Sequence, residues 1–265
     1  MNKIGFACKF VYPDRSLPLK QINEIERQYN MKSTTVKWLR DNKKQAHGKL
    51  EEICLYNAQC ILNLVSMVSS WPVSLRMVRI GSDVLPVYTH AEFRDFYKKA
   101  KFMDKVESLL SEAGHIARTK NVKLSMHPGQ FCVLASDKPH VLTNSIEEFE
   151  YHVDLIRMMG FGKSKLDFKC NVHLSGAGGA ETFKQTYKKL SNEARRVITL
   201  ENDEFSSDLN DLLPLSKLVG IVLDLHHYWV YNEKYIESND PRLKIIEDSW
   251  QGVTPTIHYS YSRED

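Results

Sequence analysis

The sequence predicts an α/β fold of parallel strands joined by crossover helices, and three observations carry that reading. Short apolar, β-branched segments recur at 2–7, 76–80, 122–127, 168–173, 196–201, 219–224 and 255–259, as buried strands require. The stretches between them, near 33–69, 91–119, 145–159, 180–194 and 207–217, carry apolar residues at helical spacing. No Pro/Gly/Ser-rich linker, low-complexity tract or repeat interrupts the chain, so residues 1–265 are read as one domain. Such alternation fits an open doubly wound sheet or a closed eight-stranded barrel, and periodicity does not separate them. Seven strands is one short of closure.

Taken in order, the first strand is entered directly from Met1-Asn2-Lys3-Ile4-Gly5-Phe6, without the apolar stretch and small-residue cleavage site of a secretory leader. The third strand, Val122-Lys123-Leu124-Ser125-Met126, ends in His127. Ser145-Ile146-Glu147-Glu148 has the form of a capping box and places a helix start there. Asp167-Phe168-Lys169-Cys170-Asn171-Val172 ends in His173. The glycine-rich run Ser175-Gly176-Ala177-Gly178-Gly179-Ala180 lacks the lysine of a P-loop and the full dinucleotide fingerprint, so it is read as a tight turn. Val197-Ile198-Thr199-Leu200 ends in Glu201, and Gly220-Ile221-Val222-Leu223 in Asp224, with His227 three residues on. The last strand, Pro255-Thr256-Ile257, ends in His258.

Five strands thus end in a histidine or an acid, where the active site of a parallel barrel is assembled. Imidazoles and carboxylates without thiolates suit zinc, manganese or iron, and a shared carboxylate such as Glu201 could bridge two ions. That arrangement favours phosphoester hydrolysis and needs no serine or cysteine nucleophile. In Asp224-Leu225-His226-His227 only one of the adjacent histidines turns easily the same way as Asp224, and His227 is preferred. His47, His90, His115, His140 and His152 have no companion at ligand spacing and receive no role.

The composition, 42% hydrophobic and 26% charged, is that of a soluble globular chain, and no apolar stretch approaches a membrane span. Five scattered cysteines form no CxxC pair, which argues against a disulfide framework and a cysteine zinc site and suits a cytoplasmic location. A net charge of +3 permits a polyanionic partner without demanding one. The lysine clusters at Lys98, Lys99 and Lys101 and at Lys184, Lys188 and Lys189 read as solvated helix faces.

Several blocks together resemble the ultraviolet-damage endonucleases, a family similar in fold and metal site to endonuclease IV among the xylose-isomerase-like TIM barrels. They are Ile4-Gly5-Phe6, Arg79-Ile80-Gly81-Ser82-Asp83-Val84-Leu85-Pro86, Met126-His127-Pro128-Gly129-Gln130-Phe131, Val172-His173-Leu174-Ser175-Gly176, Leu200-Glu201-Asn202-Asp203-Glu204, Asp224-Leu225-His226-His227 and Ile257-His258-Tyr259-Ser260. The resemblance implies a TIM-type (β/α) barrel with a catalytic centre of Glu201, His127, His173, Asp224 and His258. Glu201 would bridge two ions, His127 and His173 completing one and Asp224 with His258 serving the second, while His227 belongs to a third. Two or three divalent ions are implied, Mn2+ first, with Zn2+ or Mg2+ as alternatives. The implied partner is damaged double-stranded DNA, with no membrane and no obligate protein partner. The implied reaction is incision immediately 5′ of photoproducts such as cyclobutane dimers and 6-4 products, and at some other lesions, abasic sites among them. Gln130 and Phe131 would enter the duplex beside the lesion. Phe6 stands where a tyrosine is expected and keeps the stacking without the hydroxyl.

The sequence departs from the family pattern at its end. A modified lysine often stands where Thr256 is, and an eighth-strand region with a further histidine and glutamate is not found after His258. The expected fold is therefore a barrel lacking its last strand region. Alternatives to a lesion endonuclease are an abasic-site endonuclease, a damage-binding protein with impaired cleavage, and a sugar-isomerase-like barrel.

Overall fold

The computed structural model describes residues 2–99 and 101–260; Met1, Ala100 and the segment 261–265 weighed above as the chain's end lie outside the described residues. The chain divides into two compact units, Met1–His127 with Asp154–Phe161, and Pro128–Val153 with Gly162–Asp265.

In the first unit, strands β1 (Phe6–Ala7), β2 (Met77–Ile80) and β3 (Lys123–Met126) pair in parallel and in chain order. Val78 lies beside Phe6 on one side and Leu124 on the other. Helices α1 (Leu19–Glu26), α2 (Val36–Asp41), α3 (Lys43–Ser69), α4 (Arg94–Lys99) and α5 (Met103–Thr119) complete it. Leu50, Ile53, Ala58, Ile61, Val65 and Val68 give α3 an apolar stripe at helical spacing. Val106, Leu110, Ala113 and Ala117 do the same for α5. Buried Asn57 accepts a hydrogen bond from Lys32 N–H (2.8 Å), and its amide donates to the carbonyls of Lys32, Asp83 and Val84, fixing the loop after β2.

The second unit holds most of α6 (Pro139–Met158), then β4 (Lys169–His173), α7 (Gly179–Lys189), α8 (Asn192–Val197), β5 (Ile198–Glu201), α9 (Leu209–Leu212), β6 (Gly220–Asp224), α10 (Leu225–Asn232), α11 (Arg242–Ser249) and β7 (Ile257–His258). Strands β4 to β7 are again parallel and in chain order. A doubly wound sheet reverses its strand order at a switch point, whereas barrel winding does not; within each unit the order runs without reversal. Trp250, fully buried against Leu166 and Val222, anchors β6 by donating its indole N–H to the Ile221 carbonyl at 2.7 Å.

All seven expected strands form, while several helix boundaries differ. The expected helix start at Ser145 is wrong, because α6 begins at Pro139 and Ser145 lies inside it. The buried Ser145 hydroxyl donates to the Val141 carbonyl (2.8 Å) and accepts from Val133 N–H (2.9 Å), so it ties a loop to the helix instead of capping one. The stretch 33–69 divides at Asn42, whose φ of −120° and ψ of 45° interrupt the helix, and Thr35 caps the first part through Trp38 N–H. Residues 180–194 divide similarly, with Ser191 capping α8. The glycine run is a tight turn: Gly176 has φ +111°, and a Cβ there would lie 2.6 Å from the Ala135 carbonyl oxygen. No helix among the described residues is long and apolar enough to cross a membrane.

Candidate metal centre

Parallel register sets the residues of the centre side by side. In β4, Lys169, Asn171 and His173 share one face because side chains alternate along a strand. Pairing places Asn171 beside Thr199 and His173 beside Glu201, and β6–β7 pairing places Asp224 beside His258. Glu201, Asp224 and His258 form a group whose ligand atoms all lie within 4.8 Å of one another, and Glu201 belongs with His173 to a second such group.

Glu201 is the hub. Its side chain is buried at 1% exposure, and a carboxylate removed from water is costly unless hydrogen bonds or a cation compensate it. Its Oε2 accepts from the Asn171 amide, and the His258 Nδ1 lies 2.8 Å from Oε1. Thr199 fixes Asn171 in turn by donating its hydroxyl to the amide oxygen at 2.9 Å. The His227 Nδ1 lies 3.7 Å from Oε1 of the same carboxylate.

The histidines are oriented by groups that can only accept. Asp203 Oδ2 stands 2.9 Å from His173 Nδ1, so Nδ1 carries the proton and Nε2 the lone pair. The Asn202 carbonyl, 2.9 Å from His227 Nδ1, sets the same tautomer there. Burial alone would raise the Asp203 carboxyl; the Ser206 hydroxyl, the Phe205 and Ser206 N–H groups and His173 overcome it and hold the carboxyl at about 2. Asp224 has a structural task beside any ligand role. Its Oδ1 accepts from the N–H groups of His226 (2.8 Å) and His227 (2.9 Å), capping α10, and its backbone is clasped by the Asn202 side chain.

His127 follows β3 directly, half-buried, its carbonyl accepting the Ser82 hydroxyl at 2.6 Å. Gln130 is exposed and the Phe131 ring is 84% exposed, so Phe131 is not a core side chain. Phe6 is half-buried in β1 against Phe10 and Trp71, with ring centroids at 6.2 and 5.8 Å. His226 stacks on Trp229, with ring centroids 6.1 Å apart. Among the histidines given no role, His47 stacks on Phe96, and buried His152 has its Nδ1 2.8 Å from the Glu148 carbonyl.

Asn171, Asn202 and Asp203 were not singled out from the sequence. Asn171 carried a usable signal, lying two residues before His173 and so on the same strand face. The contacts of Asn202 and Asp203 depend on loop geometry that no spacing rule encodes.

Residues 2–265 match the family described as "UV-endonuclease UvdE". The chain belongs to the UV-endonuclease UvdE family. Similar relatives are the UV-damage endonucleases of Neurospora crassa (29% identical, 89% of this chain and 38% of the relative) and Schizosaccharomyces pombe (28%, 99% and 43%). The UV DNA damage endonuclease of Bacillus mycoides is 28% identical over 88% of this chain and 72% of its own length. The chain spans about two fifths of the two fungal relatives. The crystal structure of SacUVDE matches with a TM-score of 0.78 and 22% identity, over 99% of this chain and 82% of that one. The fold is thus that of a UvdE protein, the parallel α/β barrel type, with seven strands among the described residues.

Proposed function

We propose that this chain is a divalent-metal-dependent DNA repair endonuclease that incises 5′ of ultraviolet photoproducts in double-stranded DNA. The observation that carries the reading is Glu201, a buried carboxylate at a strand end that belongs to two candidate metal groups, in a chain of the UvdE family. The donor set fits a hard or borderline divalent cation, since it offers carboxylates and imidazoles and no thiolate. On the family resemblance, Glu201, His173 and, from the end of β3, His127 would hold one ion, Glu201, Asp224 and His258 another, and His227 would serve a third. Mn2+ is the metal that the family resemblance favours. Divalent ions bound there would supply positive charge to the phosphate and its departing oxygen and would acidify a water molecule.

The chain's own groups prepare that site. Asp203 fixes His173 with its Nε2 lone pair available to a cation, and Asn171 holds one oxygen of Glu201 so that the other is set by its imidazole neighbours. Gln130 and exposed Phe131 reach into the duplex and fill the gap beside the splayed lesion. Phe6 stacks on the substrate from β1.

The test is nicking of ultraviolet-irradiated supercoiled plasmid with Mn2+, against chelator and against unirradiated plasmid. Nicking confined to the irradiated, Mn2+-containing reaction is expected, with Glu201→Gln inactive and Gln130→Ala losing lesion selection more than cutting. Binding of irradiated duplex without a nick at any metal concentration would replace the endonuclease reading by a damage-binding one.

A further inference from the structure

The loop after β5 holds a second outward aromatic ring, for which the proposed incision has no role so far. Phe205 is 80% exposed, yet the backbone beneath it is tied down on both sides. Asp203 Oδ1 accepts from Phe205 N–H (2.9 Å), Ser206 N–H (2.8 Å) and the Ser206 hydroxyl (2.6 Å), while Asp203 N–H donates to the Ser207 carbonyl (2.9 Å). Asn202 before it is clasped to Asp224, and Asp208 beyond it accepts from the Asn232 side chain of α10 at 2.9 Å. A ring left in water gains nothing from folding, and the hydrogen bonds of Asp203 hold the backbone that presents this one beside the centre.

The carboxylate that shapes this turn also orients the centre, because the other oxygen of Asp203 accepts from His173. A DNA strand whose phosphate is held by an ion at the His173–Glu201 site would therefore pass the residue that positions Phe205. We infer that Phe205 is a nucleobase-stacking platform for a nucleotide next to the cut, distinct from the Gln130–Phe131 pair on the loop after β3. A phenyl ring offers a flat apolar face and no hydrogen bond, so the contact is indifferent to base identity and suits an enzyme that must cut in many sequence contexts. This inference rests on the endonuclease reading.

The experiment uses the full chain with Mn2+ and a duplex bearing one thymine dimer whose 5′ linkage is a cleavage-resistant phosphonate. 2-Aminopurine is placed in turn at each position flanking the dimer. The unaltered chain is expected to quench the probe at one position through Phe205. Phe205→Ala and Phe205→Leu lose that quenching and bind roughly 5- to 150-fold more weakly, the factor of one base–aromatic stack, whereas Phe205→Trp keeps both. Because the side chain is exposed, the Mn2+-dependent rise in thermal midpoint should be the same in all four proteins. Quenching and affinity unchanged in Phe205→Ala, or a Phe205→Leu variant indistinguishable from the unaltered chain, would overturn the inference while leaving the endonuclease reading standing. Failure of the unaltered chain to bind the duplex would remove both.

Discussion

Replacing Glu201 by glutamine tests the centre without relying on catalysis. Glutamine keeps the shape and the hydrogen-bonding capacity: its oxygen can accept from Asn171, and its amide can donate to His258 Nδ1 in the other imidazole tautomer. The metal-free variant should therefore unfold within about 1 kcal/mol of the unaltered chain, since loss of a buried charge offsets a poorer hydrogen bond. What it removes is the negative charge common to both candidate groups. At free Mn2+ about 100 times its dissociation constant, binding to the folded state alone contributes about 2.7 kcal/mol. For 265 residues unfolding with ~2.1 cal/mol/K each, that raises the thermal midpoint by about 5 °C. A ligand loss that weakens binding ~100-fold leaves about 0.4 kcal/mol at the same Mn2+, a rise below about 1 °C. Differential scanning calorimetry with Mn2+ and with chelator reads both numbers. A full rise in Glu201→Gln, or none in the unaltered chain, would refute the assignment of this carboxylate as the shared ligand.

Three further perturbations test other parts of the structure. Only Cys8 of the five cysteines is exposed, and burial pushes Cys54 up to about 12 and raises Cys132 and Cys170, so a thiol reagent at pH 8 should titrate one cysteine in the native chain and five after denaturation. Gly114→Ala places a Cβ 1.8 Å from the Met159 carbonyl oxygen and should cost about 1–3 kcal/mol or more by denaturant unfolding; a neutral result would mean that α5 is not packed there as described. The Asp203 carboxyl is held at about 2, below its unfolded value near 3.8, so its contribution to stability is fully present above pH 4 and is lost as pH falls toward 2. The difference in thermal midpoint between the metal-free unaltered chain and Asp203→Asn should shrink over that window, and a difference constant from pH 6 to pH 2 would rule out this source of stability.

What could be read from the sequence follows from how far each determinant reaches along the chain. Strands β2, β5 and β6 were legible because each is a largely apolar, β-branched run, and β4 because Cys170 and Val172 alternate with polar residues; a histidine or acid at or just after the end of β3, β4, β5, β6 and β7 marked the C-terminal edge. Helix α10 was not, since Leu225-His226-His227-Tyr228-Trp229 is poor in strong helix formers; Asp224 holds its first turn through two N–H groups. Ser145 misled for the opposite reason: its local pattern is that of a cap, and a tertiary contact with Val133 uses its hydroxyl instead. The preference for His227 over His226 rests on helical geometry: a side chain three residues beyond Asp224 returns to the same side of a helical turn, and the His227 Nδ1 lies 3.7 Å from Glu201 Oε1 while His226 stacks on Trp229.

The polar face of β4 shows why the fold and the centre are specified together. Lys169, Asn171 and His173 alternate with buried Cys170 and Val172, and each polar residue finds its partner on a different strand: Thr256 before β7, Thr199 and Glu201 in β5, and Asp203 after β5. Slipping β4 by one residue would turn Cys170 and Val172 toward those partners and leave buried Asn171 and Lys169 among apolar neighbours, a loss at every rung. The register that places His173 beside Glu201 is therefore enforced from below by Lys169 and Asn171. Thr256, where the family often has a modified lysine, is buried and accepts a hydrogen bond at 2.8 Å from Lys169 Nζ. The Lys169 side chain thus reaches that position from β4, its Nζ 5.2 Å from the Trp250 ring that secures β6. Lys169 lies two strand positions below Asn171, so the layer beneath the centre is tied from β4 to the segment before β7.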